Sequence, residues 1–298
     1  MNFEELKATN EFRLARGGRF LIAELLVPHR LLSTSGKNGG QRDDIRFLVN
    51  HQSCEATDHR ERHHYIQEMG LDGYHDAVCR EISLPPDLVA MMGTAANMNY
   101  ASIVERRDED LVATAVVTAG VQGNAACAGD PAQWRESERG WEKIVLPAGT
   151  INTMLLANHP LTEAALARAV VTMTEGKSAA LQRLAVRSLY SQDSATGTGT
   201  DQYCVAAPLA GSKPLTSTSP HVKLGELIGL AARDATLEAL RWQNGLESSY
   251  TRGLFHALSR YGLTEGSFFE DIASLLNERE LELLEKNSKA VFYEPLVG

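Results

Sequence analysis

The chain has 298 residues, enough for one large domain or two small ones. Its apolar fraction of 43% supplies a packed core, and 29 Lys plus Arg against 38 Asp plus Glu leave a net charge of −9. With no basic stripe or Lys/Arg run, that balance argues against a nucleic-acid backbone or an anionic membrane surface as partner.

The opening MNFEELKATNEFRLARGGRF carries Glu4, Glu5 and Glu11 and no apolar h-region, so no secretory signal is expected. No stretch reaches the roughly 18–20 continuous apolar residues of a membrane span. Cys54, Cys79, Cys127 and Cys204 form no CxxC pair and read as reduced thiols. The expected protein is cytoplasmic.

In chain order, Arg19–Val27 and Ile45–Asn50 read as strands, joined by the polar loop STSGKNGGQ. Arg60–Met69, Tyr74–Arg80 and Pro86–Met92 read as short helices. Leu111–Thr118 is an apolar strand that runs into the glycine-rich AGVQGNAACAGD. Thr150–Ala157 is another strand, Asn158-His-Pro a turn, and Leu161–Arg187 a long Ala-rich helix. The loop SQDSATGTGTD leads into a strand at Gln202–Ala207, and Val222–Arg241 is a second long helix. Tyr250–Tyr261 and Phe268–Glu285 continue as helices. Strands alternating with long helices predict an α/β fold: one layered domain over residues 1–241 with a mixed sheet flanked by long helices. Residues 242–298 are expected to form a C-terminal helical extension packed on it, or a homo-oligomer contact.

Five segments of the middle region follow one another: TAGVQGNAACAGD (Thr118–Asp130), GTINTMLL (Gly149–Leu156), LTEAALARAVVTMTEGKSAALQ (Leu161–Gln182), ATGTGTDQ (Ala195–Gln202) and HVKLGELIG (His221–Gly229). Taken together they resemble the adenosylcobinamide amidohydrolase family. VNHQSCEATDH (Val49–His59) and MGTAANM (Met92–Met98) are similar to it with less specificity. Gly176 departs from the pattern, which carries alanine there; glycine inside a helix costs ~1 kcal/mol. The resemblance implies hydrolysis of adenosylcobinamide, a cobalt corrinoid, to adenosylcobyric acid and aminopropanol, a step of corrinoid salvage. A non-catalytic corrinoid-binding protein and an amidase for another substrate are the alternatives.

Cleaving an amide requires a nucleophile or activated water, donors for the oxyanion, and an acid for the leaving amine. Lys177 falls on the apolar stripe of its helix with Leu166, Val170, Met173, Leu181 and Leu184. A lysine there acts as base or acid, or is a salt-bridged structural group. Glu175 lies on the opposite side, as a solvated carboxylate or, if that small-residue helix is buried twice over, a general base. In the second glycine loop, Thr196, Gly197, Thr198 and Thr200 can bind amide or phosphate oxygens, and Asp201 can act as a base or a ribose ligand; an ordinary tight turn is the other reading.

In the first loop, Thr118 and Gly120 begin a ligand-facing segment and Asn124 is a candidate oxyanion donor. Thr150 and Asn152 share one face of a strand, toward substrate or in an internal hydrogen-bond pair. His51, Cys54, His59, His63, His64, His75 and Cys79 invite a metal reading but fit no standard zinc spacing, and HExxH is absent. His51, at a strand end, is the first candidate for an imidazole approaching the corrin that the resemblance implies, and ordinary surface histidines are the other reading. His221 and Lys223 open a helix, where an anionic group is favoured, although Lys223 and Glu226 can simply pair. No dissociable cofactor is required by this scheme.

Overall fold

A computed structural model describes residues 1–54, 59–132, 134–138, 140–143 and 149–292. The strands in chain order are β1 (Glu4–Ala8), β2 (Phe12–Gly17), β3 (Phe20–Leu25), β4 (His29–Ser33), β5 (Gly40–Arg42), β6 (Phe47–Gln52), β7 (Val89–Thr94), β8 (Ser102–Asp108) and β9 (Leu111–Gly120). They continue with β10 (Ala125–Ala126), β11 (Trp134–Ser137), β12 (Gly140–Lys143), β13 (Thr150–Ala157), β14 (Gly197–Thr198) and β15 (Gln202–Pro208). The helices are α1 (His59–Glu81), α2 (Glu163–Arg183), α3 (Lys223–Asn244), α4 (Ser248–Thr251), α5 (Leu254–Leu258), α6 (Phe268–Ala273) and α7 (Glu278–Phe292).

The fold is α/β, with two principal sheets rather than the single sheet expected. One runs β1-β2-β3-β6-β7 and the other β5-β4-β15-β13-β9-β8, each mixed. Every residue of β13 is buried, because both faces of its sheet are covered. Along β9 and β13, Ala115, Val117, Ala119 and Ile151 pack on Leu181 of α2 and Ala231, Ala235 and Ala239 of α3. The alternate residues Val116, Met154 and Leu156 face the other sheet and meet Leu14, Leu21, Ala90 and Met92. The far side of that sheet buries Phe20, Ile22, Val49 and Val89 against Tyr74 and Val78 of α1 and Ile82 just beyond its end. The result is four layers, helix–sheet–sheet–helix, and the two-residue period of the strands sorts each side chain into its layer.

Two expectations are corrected. Pro86–Met92 is not a helix: a single 3-10 turn at Pro86–Leu88 gives way to β7, which pairs in parallel with β6. Val89, Ala90 and Met92 are buried there, and inter-sheet burial outweighs the local helix signal. The two short helices before it are both present: α1 is two helical segments that meet at Gly70, whose φ of 72° and ψ of 161° are non-helical. Tyr250–Tyr261 is broken into α4, α5 and a 3-10 turn. In the C-terminal segment Phe255, Phe268, Phe269 and Phe292 gather edge to face into a small aromatic cluster.

No helix among the described residues is long and apolar enough to cross a membrane.

Candidate active site

Both glycine loops, the start of β13 and the middle of α2 meet around one cleft of about 1200 Å³. That exceeds the ~300–1,000 Å³ usual for small-molecule pockets. The Thr162 hydroxyl caps α2 by accepting the Ala165 amide at 3.2 Å. Four turns on, Lys177 reaches the cleft and forms an ion pair with Asp201. The side chains of Lys177 and Asp201 are only 14% and 19% exposed, so the pair is largely withdrawn from water.

Asp201 is heavily bonded. Its Oδ1 accepts the Thr198 hydroxyl at 2.6 Å and the Ile151 amide at 3.0 Å. Its Oδ2 accepts Lys177 Nζ and the Thr198 amide, the latter at 3.2 Å. Four donors fill the roughly four acceptor positions of a carboxylate. Gly197 makes the approach feasible: a Cβ there would stand 2.5 Å from Lys177 Nζ.

Asn124 is fully buried and ties three segments together. Its Nδ2 donates to the Gly149 carbonyl at 3.0 Å, and its Oδ1 accepts the Tyr190 hydroxyl at 2.9 Å. Thr200 also donates to the Gly149 carbonyl, at 2.7 Å, and Thr150 donates to the Thr200 carbonyl at 2.5 Å. Gly149 holds φ at 144°, and a Cβ on it would fall 2.9 Å from the Gly120 carbonyl. Only glycine allows the strand start and the first loop to close to this distance. Thr196 completes the loop contact, its Oγ1 accepting the Ala128 amide at 2.9 Å.

Of the residues singled out in the sequence, Asn124, Thr150, Lys177, Thr196, Gly197, Thr198, Thr200 and Asp201 therefore line one cleft. The remainder stand elsewhere. Thr118 and Asn152 are buried in a seam between the sheets: Asn50 Nδ2 donates to Thr118 Oγ1 at 2.7 Å, and Asn152 Nδ2 donates to Asn50 Oδ1 at 2.9 Å. Gly120 sits at the end of β9, paired with Thr150. His51 is buried, stacked on Phe20 with 4.6 Å between ring centroids, and bonded to Tyr74 through Nδ1 at 3.2 Å. Burial, then the charges of Arg62 and Arg19, lower its pKa to about 3, which leaves the imidazole neutral. Glu175 is exposed and outside the cleft lining. His221 is exposed, and Lys223 pairs with Glu226 at 2.8 Å.

Among the described residues no three His, Cys, Asp or Glu side chains come together as a metal site. The side chains of His59 and His63 lie outside the described residues; His64 pairs with Glu68 at 3.1 Å and His75 with the Pro86 carbonyl at 3.1 Å.

Sequence reasoning missed Tyr190, Gly149, Ser178 and Arg62, all of which line the cleft. Ser178 adjoins Lys177 and was within reach of the wheel argument. Tyr190 lies in an aperiodic loop whose fold is set by Ser188, which donates to Asp130 at 2.6 Å.

The sequence model described as adenosylcobinamide amidohydrolase (CbiZ) matches residues 5–248. The chain belongs to the adenosylcobinamide amidohydrolase family. An uncharacterized protein of Methanocaldococcus jannaschii is 31% identical over 236 residues, which cover 76% of this chain and 88% of that one. Among solved structures, a protein from Pyrococcus horikoshii OT3 matches at 15% identity with a TM-score of 0.35, over 74% of this chain and 78% of the other. A likeness that weak carries no weight for the fold. The family match spans both glycine loops, α2 and α3, and so every cleft residue named above, while α5, α6 and α7 fall beyond it.

Proposed function

We propose that this family member hydrolyses the amide linking aminopropanol to the corrin of adenosylcobinamide, releasing adenosylcobyric acid and aminopropanol within the cytoplasm. The observation that carries the reading is the withdrawn Lys177–Asp201 pair on the wall of a cleft large enough for a corrinoid, inside the family match. An ammonium has three N–H donors, and Asp201 occupies one, leaving two for substrate. Lys177 is placed to protonate the departing amine or to stabilise the oxyanion of the tetrahedral intermediate. Asp201 holds Lys177 in place. Asn124 and the 196–200 loop bind around the scissile amide, with Asn124 also fixing the Gly149 and Tyr190 segments. The reading invokes no dissociable cofactor.

The test is incubation of purified protein with adenosylcobinamide, with products followed by chromatography and mass spectrometry, before and after chelation. Formation of adenosylcobyric acid and aminopropanol, unchanged by chelation, is expected. Tight binding without turnover refutes the hydrolase and supports a corrinoid-binding protein. Absence of both turnover and binding overturns the corrinoid assignment itself.

A further inference from the structure

We propose that Thr198 is the nucleophile of this site and that hydrolysis proceeds through an acyl ester on its Oγ. The inference rests on the amide-hydrolase reading above and adds a covalent step to it.

The cleft hydroxyls differ in where they send their protons. Thr150, Thr174, Ser178 and Thr200 each donate to a backbone carbonyl, at 2.5, 2.8, 3.0 and 2.7 Å. A carbonyl cannot take up the proton when the oxygen attacks. The Thr198 hydroxyl instead donates to Asp201 Oδ1 at 2.6 Å, within the ~2.6–3.2 Å that a nucleophile and its base require. Among described hydroxyls of the cleft lining, it alone is directed onto a carboxylate. That carboxylate is itself oriented by the Ile151 amide on one oxygen and by Lys177 on the other. Nucleophile, base and orienting groups are thereby connected in one chain of contacts. Thr198 Oγ also accepts the Thr200 amide at 3.3 Å, which leaves one lone pair uncommitted for attack. β14 is paired with β10 through Ala125↔Thr198, so the attacking residue is held by a ladder rather than by loop packing alone.

In the first step Thr198 Oγ bonds to the amide carbon while its proton passes to Asp201. The C–N bond then breaks as Lys177 protonates the nitrogen, and aminopropanol leaves as the free amine. Asp201 returns its proton to Lys177. Water next adds to the ester carbonyl, the C–Oγ bond breaks, Thr198 recovers a proton through Asp201, and the carboxylic acid is released. One water is consumed and nothing is oxidised or reduced.

The decisive experiment combines partitioning with three variants of the full-length protein. Wild-type enzyme turning over adenosylcobinamide in hydroxylamine is expected to yield corrinoid hydroxamate, with amine release no faster than without it. Thr198→Ser is expected to retain turnover and form the hydroxamate. Thr198→Val and Thr198→Ala are expected to lose about a thousandfold or more in kcat while still binding the corrinoid. If either keeps turnover within tenfold of wild type, the nucleophile is not Thr198. If the wild type hydrolyses substrate but yields no hydroxamate, water attacks directly and the covalent step is overturned, while the amide-hydrolase reading stands. A wild type without turnover removes both.

Discussion

Gly176 sits in the interior of α2 and is buried against α3. Replacing it with alanine sets two terms against each other. Alanine regains ~1 kcal/mol of helix propensity. Its Cβ, however, would stand 2.6 Å from the Gly229 carbonyl oxygen, 3.2 Å from Gly229 Cα and 3.3 Å from Ala232 Cβ. The obstructing oxygen is backbone, so no rotamer relieves it. Restoring an ordinary C···O contact of ~3.3 Å requires the two helices to part by several tenths of an ångström. Overpacking costs ~1–3 kcal/mol, and against a rigid backbone oxygen the upper part of that range, ~2–3 kcal/mol, applies; after the propensity gain the variant loses about 1–2 kcal/mol net. For a chain of this size that lowers Tm by roughly 2–8 °C. Lys177 is the next residue, so the same displacement moves its ammonium relative to Asp201 and is expected to lower kcat as well. Equilibrium urea unfolding and thermal scans read the stability, and steady-state turnover reads the second effect. An unchanged or raised Tm would refute the reasoning, since it would mean that α2 and α3 adjust freely and that propensity decides.

Glu175→Gln, on the exposed side of the same helix, is expected to leave turnover within about twofold, whereas Lys177→Met is expected to abolish it; the two kcat values side by side check the assignment. His51 has a folded pKa of about 3 against an ordinary 6.5, so the unfolded chain binds the extra proton between those values. Its contribution to stability is therefore present above pH 6.5 and is lost as pH falls toward 3. His51→Phe is expected to flatten the acid limb of a urea-unfolding pH series, and an identical limb would contradict the buried neutral imidazole. Cys127 lines the cleft, while Cys54, Cys79 and Cys204 are buried, and burial pushes the last two thiols up to about 11 and about 12. Iodoacetamide on the folded protein should modify Cys127 first and alone, with bound corrinoid protecting it; early labelling of a second cysteine, read by peptide mass spectrometry, would refute this.

The buried strands of the central sheet were legible because their side chains are apolar on both faces: Thr150–Ala157 read from the sequence is β13 residue for residue. The edges were not. β1 carries Glu4, Glu5 and Lys7, β5 is only the three residues Gly40–Arg42, and β8 carries Glu105, Arg106 and Arg107, so none announces itself by hydropathy. Half of the seam was within reach, since Thr150 and Asn152 were placed on one strand face with an internal pair as one of two readings. Its partner Asn50 came from the other sheet, and nothing local signals a contact across 102 residues. The cleft was legible to the extent that glycine and threonine alternate in ATGTGTD. Tyr190 was not, because it reaches Asn124 only after the loop behind α2 folds back.

In open parallel sheets ligands gather beyond the carboxyl ends of the strands. Here β13 and β15 are parallel, yet Thr150 and Asp201 stand at their amino ends. The mixed sheet accounts for the difference. β9 runs antiparallel to β13, so its carboxyl end, with Asn124 beyond it, arrives where β13 begins. Gly93 and Thr94, closing β7 of the facing sheet, reach the same end, and the Gly93 amide donates to Gln202 at 3.0 Å. Asp201 is then fixed by the amide of Ile151, the second residue of the neighbouring strand, which makes its position a property of sheet register. A one-residue slip of β13 against β15 would turn Asn152 onto the helix face and withdraw the Ile151 amide from Asp201 at once. The carboxylate that anchors Lys177 and Thr198 is therefore held by the most deeply buried part of the molecule, although the loop that carries it is rich in glycine.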